Sequence, residues 1–214
     1  MFPSQLNRAR SQLARGHDAW DVWLRTFDVP AGSYEYKVAI NGSWDENYGG
    51  MADPGGANVS LAVPEDQAVT FIYDHKTHWI ADDVRQEIVT APGSYQSEVG
   101  CEEDFQADCL ATWLQDVDGD GVYTYSTNAI PAGEYTARTA VGMSMDETYG
   151  VNGEPDGEDI TFSVPEDGTT VSFIFDANMR AMVVSTGGTA VSGADLREQR
   201  AHWVTENTLL WATE

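Results

Sequence analysis

Basic side chains are scarce in this chain: 11 Lys and Arg stand against 35 Asp and Glu, for a net charge of −24 over 214 residues. The shortage is sharpest in the second half. Residues 93–187 hold two basic and eighteen acidic side chains, whereas residues 1–92 hold seven and thirteen. Such a surface repels a phosphate backbone, and it disfavours an anionic membrane for the same reason. Nucleic acid and membrane are therefore not expected as partners, and a neutral ligand or a cation is. An acidic surface also serves plain solubility.

Cysteine is nearly absent as well. The two present, Cys101 and Cys109, bracket an acidic stretch in GCEEDFQADC. A zinc site needs more Cys or His ligands nearby than this segment has. The flanking carboxylates raise a thiol pKa, which argues against a reactive nucleophile. A local disulfide is the favoured reading over two free thiols, and it points to an oxidising, secreted setting. Histidine is rare too; His75 and His78 in DHKTHW are two ligands without a third, and read as an ordinary surface turn. No apolar run approaches a membrane span, and no signal peptide is legible at Met1, so an export signal is expected outside this chain.

What the chain does have is a repeat. VPAGSYEYKVAINGSWDENYG (29–49) returns as IPAGEYTARTAVGMSMDETYG (130–150), and VPEDQAVTFIYD (63–74) returns as VPEDGTTVSFIFD (164–176). That period is too long for a solenoid unit and fits one small domain per repeat. Composition, at 42% hydrophobic and 11% aromatic, is that of a globular protein.

Residues 4–15 have the spacing of a short amphipathic helix stopped by Gly16. Beyond it the pattern turns to strands: VWLRTF (22–27), SYEYKVAI (33–40) and VTFIYD (69–74), then VYTYST (122–127), EYTARTAV (134–141), DITFSV (159–164) and VSFIFD (171–176). Gly- and Pro-rich turns separate them, as in antiparallel β-sandwiches. The expected division is an atypical segment 1–19, a first module 20–84, a linker 85–92, a second module 93–185, and a linker with a fragment of a further domain at 186–214. The second module opens with SYQSEV (94–99), an opening strand that the first lacks.

The strongest cluster of functional residue types is Ser43-Trp44-Asp45-Glu46-Asn47-Tyr48-Gly49, directly after a strand and so on a loop. An aromatic face suits the C–H face of a pyranose, and carboxylates and amides share hydrogen bonds with hydroxyls. Trp44 and Tyr48 are thus candidate sugar platforms, with Asp45, Glu46, Asn47 and Lys37 as hydroxyl partners. Trp79 is a further candidate, for this face or for packing on the linker. Alternatively, Trp44 and Tyr48 cap the core while the acids satisfy turn amides. Adjacent carboxylates do not bracket a glycosidic bond at the spacing its hydrolysis needs.

WDENYG after an AG-x-Y-x-x-K strand, followed by VPED before a Phe/Tyr-rich strand, resembles the X25 modules of pullulanases. FIYDHKTHWIADDV (71–84) is similar to the end of one such module, and residues 94–127 to the start of the next. LREQRAHWVTENTLLW (196–211) is similar to the opening of the β-domain that follows them. The resemblance runs from about residue 20 to the end. It implies all-β, immunoglobulin-like sandwiches and an accessory role in an α-glucan-degrading enzyme, with starch-type binding and a catalytic domain as a partner.

Residues 1–19 match nothing in that pattern. In the second module Met145 and Thr148 stand where the motif has Trp and Asn, so Asp146, Glu147 and Tyr149 are left as a weaker candidate site. A catalytic (β/α)8 barrel needs roughly 250 residues, which these modules leave no room for. The chain is therefore read as non-enzymatic. Asp116, Asp118 and Asp120 resemble the start of a calcium loop, but Thr127 stands where the bidentate Glu should be, so a β-turn is favoured over Ca²⁺ and no cofactor is expected. The preferred function is an α-glucan-binding accessory fragment. The rival is a spacer that positions a catalytic domain and binds no sugar.

Overall fold

The computed structural model describes residues 22–187 and places the backbone of Ala14 and Arg15. The first half contains β1 (Ala14–Arg15), β2 (Val22–Val29), β3 (Gly32–Tyr36), β4 (Val38–Ala39), β5 (Asn47–Tyr48), β6 (Val59–Val63), β7 (Gln67–Asp74) and β8 (Ile80–Asp82). The second half contains β9 (Val89–Thr90), β10 (Trp113–Leu114), β11 (Val122–Thr127), β12 (Gly133–Ala137), β13 (Thr139–Val141), β14 (Thr148–Tyr149), β15 (Ile160–Val164), β16 (Val171–Asp176) and β17 (Ala181–Thr186). All pairings are antiparallel, so the all-β sandwich reading stands.

The repeat is visible in the register. β2 pairs β7 from Val22↔Asp74 to Val29↔Gln67, and β11 pairs β16 from Val122↔Asp176 to Thr127↔Val171. β3 pairs β6 as β12 pairs β15. Alternation decides which side chains go inward: in β6, Val59, Leu61 and Val63 are buried while Ser60 and Ala62 face out. The second core gathers Leu114, Phe162, Phe173 and Phe175 around Tyr95, whose ring stacks on Phe173 at a centroid distance of 4.8 Å. Both halves need glycine at one matching turn. A Cβ on Gly49 would lie 2.1 Å from the Ala57 carbonyl oxygen, and one on Gly150 would lie 2.2 Å from that of Glu158.

Three expectations about segments are corrected. Ala14 and Arg15, placed in a helix by their spacing, instead form a strand against Leu24 and Trp23. An unpaired edge on β2 outweighs weak local helix propensity. The segment 94–99 is not a strand, because Gln96–Val99 form a 3-10 turn that drops Tyr95 into the core. Residues 85–92 are not merely a linker: Val89 and Thr90 pair with both β10 and β13 inside the second module, fully buried. The readings placed on residues 188–214 lie outside the described residues.

The two modules are joined by more than the chain. Val22, Ile72, Trp79 and Ala81 of the first pack with Ile88 and Trp113 of the second in one buried cluster. Beside it, the Gln115 amide donates to the Asp74 carboxylate at 2.8 Å, buried on both sides. The expected disulfide is present between Cys101 and Cys109.

Candidate functional site

The repeated motif builds the same loop twice. In module one it connects β4 to β5, closed by the Ile40 amide donating to the Glu46 carbonyl at 2.9 Å. In module two the Val141 amide donates to Glu147 at 3.0 Å. The Ser43 hydroxyl donates to Asp45 Oδ2 at 2.7 Å and accepts from the Asp45 amide at 3.1 Å. Ser144 and Asp146 reproduce both bonds at the same distances. Tyr48 donates to Glu46 Oε1 at 3.0 Å, and Tyr149 to Glu147 Oε1 at 2.8 Å. One scaffold thus carries different tips: Trp44, 56% exposed, in module one, and Met145, 44% exposed, in module two.

The proposed sugar contacts separate on inspection. Trp44 presents its ring to solvent on a loop whose acids are tied down locally. Asp45 and Glu46 are exposed, each with one oxygen engaged within the loop. Asn47 is structural: its amide donates to the Trp44 carbonyl at 2.8 Å, and its buried Oδ1 has no partner. Lys37 is structural too, donating to the Gly56 carbonyl at 2.7 Å. Tyr48 is not an open platform. Its ring is 8% exposed and lies face to face with the His78 imidazole at 3.8 Å and 7°. Trp79 is not on this face at all; it is 7% exposed in the inter-module cluster, where burying a large apolar ring outweighs displaying it.

Two features escaped sequence reasoning. The first is the backing of Tyr48. His78 occupies a left-handed turn position (φ 60°), and its Nδ1 meets the Tyr73 hydroxyl at 2.9 Å. His75 Nδ1 meets the same hydroxyl at 3.1 Å. Desolvation, then the nearby Tyr48, Glu46 and Asp74, push the Tyr73 phenol well above its ordinary range. The second is the matching position in module two, Arg180 (φ 50°), whose guanidinium lies 5.6 Å from the Tyr149 ring centre. Glu87 clasps it with bonds of 2.5 and 2.7 Å, and that hydrogen bonding raises its pKa. His78 and Arg180 stand at matching places after the repeated strands, and only the fold shows that both cover a tyrosine.

Asp116, Asp118 and Asp120 bring their carboxylates within 4.8 Å of one another. Asp116 accepts from the amides of Asp120 and Gly121 at 3.1 and 3.0 Å, and Asp120 from that of Val122 at 2.8 Å. The acids thus satisfy the amides of the turn between β10 and β11. Burial pushes the Asp116 carboxyl up, against the lowering effect of those amides.

With the geometry in hand, comparison with known proteins places this chain. Residues 6–80 and 88–182 match the family model described as the pullulanase X25 domain. The match begins at residue 6, so the stretch read as foreign to the pattern falls largely within it. An amylopullulanase of Thermoanaerobacterium thermosulfurigenes is 34% identical over 156 residues, covering 70% of this chain and 8% of that protein. One from Thermoanaerobacterium saccharolyticum is 35% identical over 156 residues, covering 70% and 12%. The chain thus spans about a tenth of the length of these relatives. Pullulanase from Bacillus acidopullulyticus aligns with a TM-score of 0.41 at 23% identity, over 47% of this chain and 11% of that one.

Proposed function

The chain belongs to the pullulanase X25 domain family, and from that premise we propose that it is a non-catalytic accessory region of an α-glucan-degrading enzyme, holding glucan against module one. The observation that carries this reading is the exposed Trp44 ring on a loop stiffened by the Ser43–Asp45 and Tyr48–Glu46 bonds. A ring held in place loses little freedom when a pyranose stacks on it, and Asp45 and Glu46 flank it as hydroxyl partners. Tyr48 supports the loop from beneath. Module two carries the same loop with Met145 at its tip, a poorer partner for a flat sugar face, so Asp146, Glu147 and Tyr149 form the weaker site. The disulfide and the acidic surface suit a secreted enzyme whose catalytic domain is the partner.

The spacer reading has its own support in the inter-module cluster of Trp79 and Trp113, which fixes one module against the other. Native electrophoresis in soluble starch, pullulan and dextran separates the two. Binding predicts retardation in starch and pullulan but not dextran, abolished by Trp44→Ala with the melting temperature nearly unchanged. Equal mobility in all three gels supports the spacer, whereas a stable Trp44→Ala protein retarded like the parent overturns the assignment of the site to Trp44.

A further inference from the structure

Module one has a hydrogen-bond relay under its Trp44 loop that module two lacks. The Tyr73 hydroxyl, in a side chain 3% exposed, contacts two imidazole nitrogens, Nδ1 of His75 and Nδ1 of His78. His78 then stacks on Tyr48, and Tyr48 donates to Glu46, two residues from Trp44. At the matching places module two has Phe175, Ala177 and Arg180, so it holds its loop with no imidazole.

We propose that Tyr73, His75 and His78 are positioning residues for the Trp44 loop, and that they make glucan capture by module one weaken as the solution is acidified. The inference rests on the glucan reading above. A phenol has one hydrogen, so with both imidazoles neutral it donates to one Nδ1 and accepts from the Nδ1–H of the other. All three groups are then satisfied. Protonating the accepting ring aims two N–H donors at one oxygen and strands the phenolic hydrogen in a buried place. One contact opens, and the half-buried His78 is free to move where buried Tyr73 is not. Its stack on Tyr48 opens with it, and the loop loses its backing.

The other charged groups around this cluster, among the described residues, are few. Glu46 lies on the loop, with Asp45 beside it in sequence. Lys76 is exposed on the same turn, and Asp74 is turned to Gln115 and the amides of Lys76 and Thr77. Tyr36 packs against Tyr48, Tyr73 and Ile80, but its hydroxyl is bound by Asp82 and Arg85. None of them is hydrogen-bonded to the Tyr73 hydroxyl, so none takes the place of the imidazole as acceptor of its hydrogen.

The test converts the relay to the set module two already folds with, Tyr73→Phe, His75→Ala and His78→Arg together. His75→Ala alone serves as a milder second variant. Retardation in soluble starch is measured at pH 7.5 and 5.5, and the Trp44 signal of 5-fluorotryptophan-labelled protein is followed by ¹⁹F NMR, assigned by its loss in Trp44→Phe. The parent should lose about threefold to tenfold in affinity at the lower pH, the worth of one hydrogen bond. Its Trp44 signal should shift over the same interval, and both effects should shrink in each variant. A parent and variants with the same pH ratio and the same signal overturn the proposal. Should starch retard nothing at any pH, the glucan reading fails, and the ¹⁹F signal alone decides whether the relay positions the loop.

Discussion

The two modules solve one problem with different chemistry, and the difference shows which parts of the motif are scaffold. Both close the loop with the same backbone bond, the same Ser–Asp pair and the same Tyr–Glu pair. Beneath the loop they diverge. Module two runs Arg138 through Asp159, Thr148 and the Gly157 carbonyl, a fork with every branch used. Module one has Lys37 there, a point charge that donates to the Gly56 carbonyl, and Asn47 Oδ1 stays buried and unpaired among the described residues. Above the tyrosine, Arg180 clasped by Glu87 replaces His78 held by Tyr73. Module two is thus the more firmly tied copy, and module one displays the aromatic tip, Trp44.

The largest effect should come from Trp79, which shares its side chain with the exposed Trp44 of the same module. Trp79→Ala empties the cluster both modules share and should cost about 3–5 kcal/mol. Calorimetry should show both modules weakened in one transition. Two transitions, with only the first displaced, would mean that the modules fold independently.

Next comes the disulfide, which only module two has. Reduction should destabilise that module by about 2–3 kcal/mol, the scale for so short a closed loop. Intact mass should rise by about two hydrogens on reduction. Alkylatable thiols in the native, air-exposed protein would remove both the effect and its support for secretion.

A smaller effect tests the fork. Lys37→Arg gives module one the guanidinium that module two uses, within reach of Asn47 Oδ1. It should stabilise module one by about 1 kcal/mol in urea, the worth of one satisfied buried acceptor. No change in the urea midpoint would mean that the lysine already serves as well.

The least change in stability, and the most direct test of the shared scaffold, is Met145→Trp in a Trp44→Met background. The tip is exposed, so the melting point should move by no more than about 0.5 kcal/mol in stability. Retardation in starch should return, now through module two. Its failure to return would place the decisive chemistry outside the loop tip.

Much of the architecture was legible because it is local and repeated. Period-two burial in residues 59–63 and the β-branched run at 69–74 announce strands, and the near-identical register of β2–β7 and β11–β16 follows from near-identical sequence. The place of Trp44 on a polar loop directly after a strand was legible as well, but whether its ring faced water or capped the core was not. Ala14, Arg15, Val89 and Thr90 misled because a two-residue strand carries almost no pattern. Its pairing depends on an edge supplied from elsewhere in the chain.

Sequence alone determined the count of modules, their all-β character and the place of the candidate loop, and it favoured pairing of the two cysteines, because each rests on short-range pattern or on self-similarity. Tertiary structure decided which aromatics are surfaces. Trp44 and Trp79 have the same side chain, and only packing put one in water and the other against Ile88 and Trp113. Tyr48 and His78 are thirty residues apart in the chain, and only the antiparallel fold stacks them. Exposure and long-range contact belong to how strands meet, and no window of neighbouring residues contains that information.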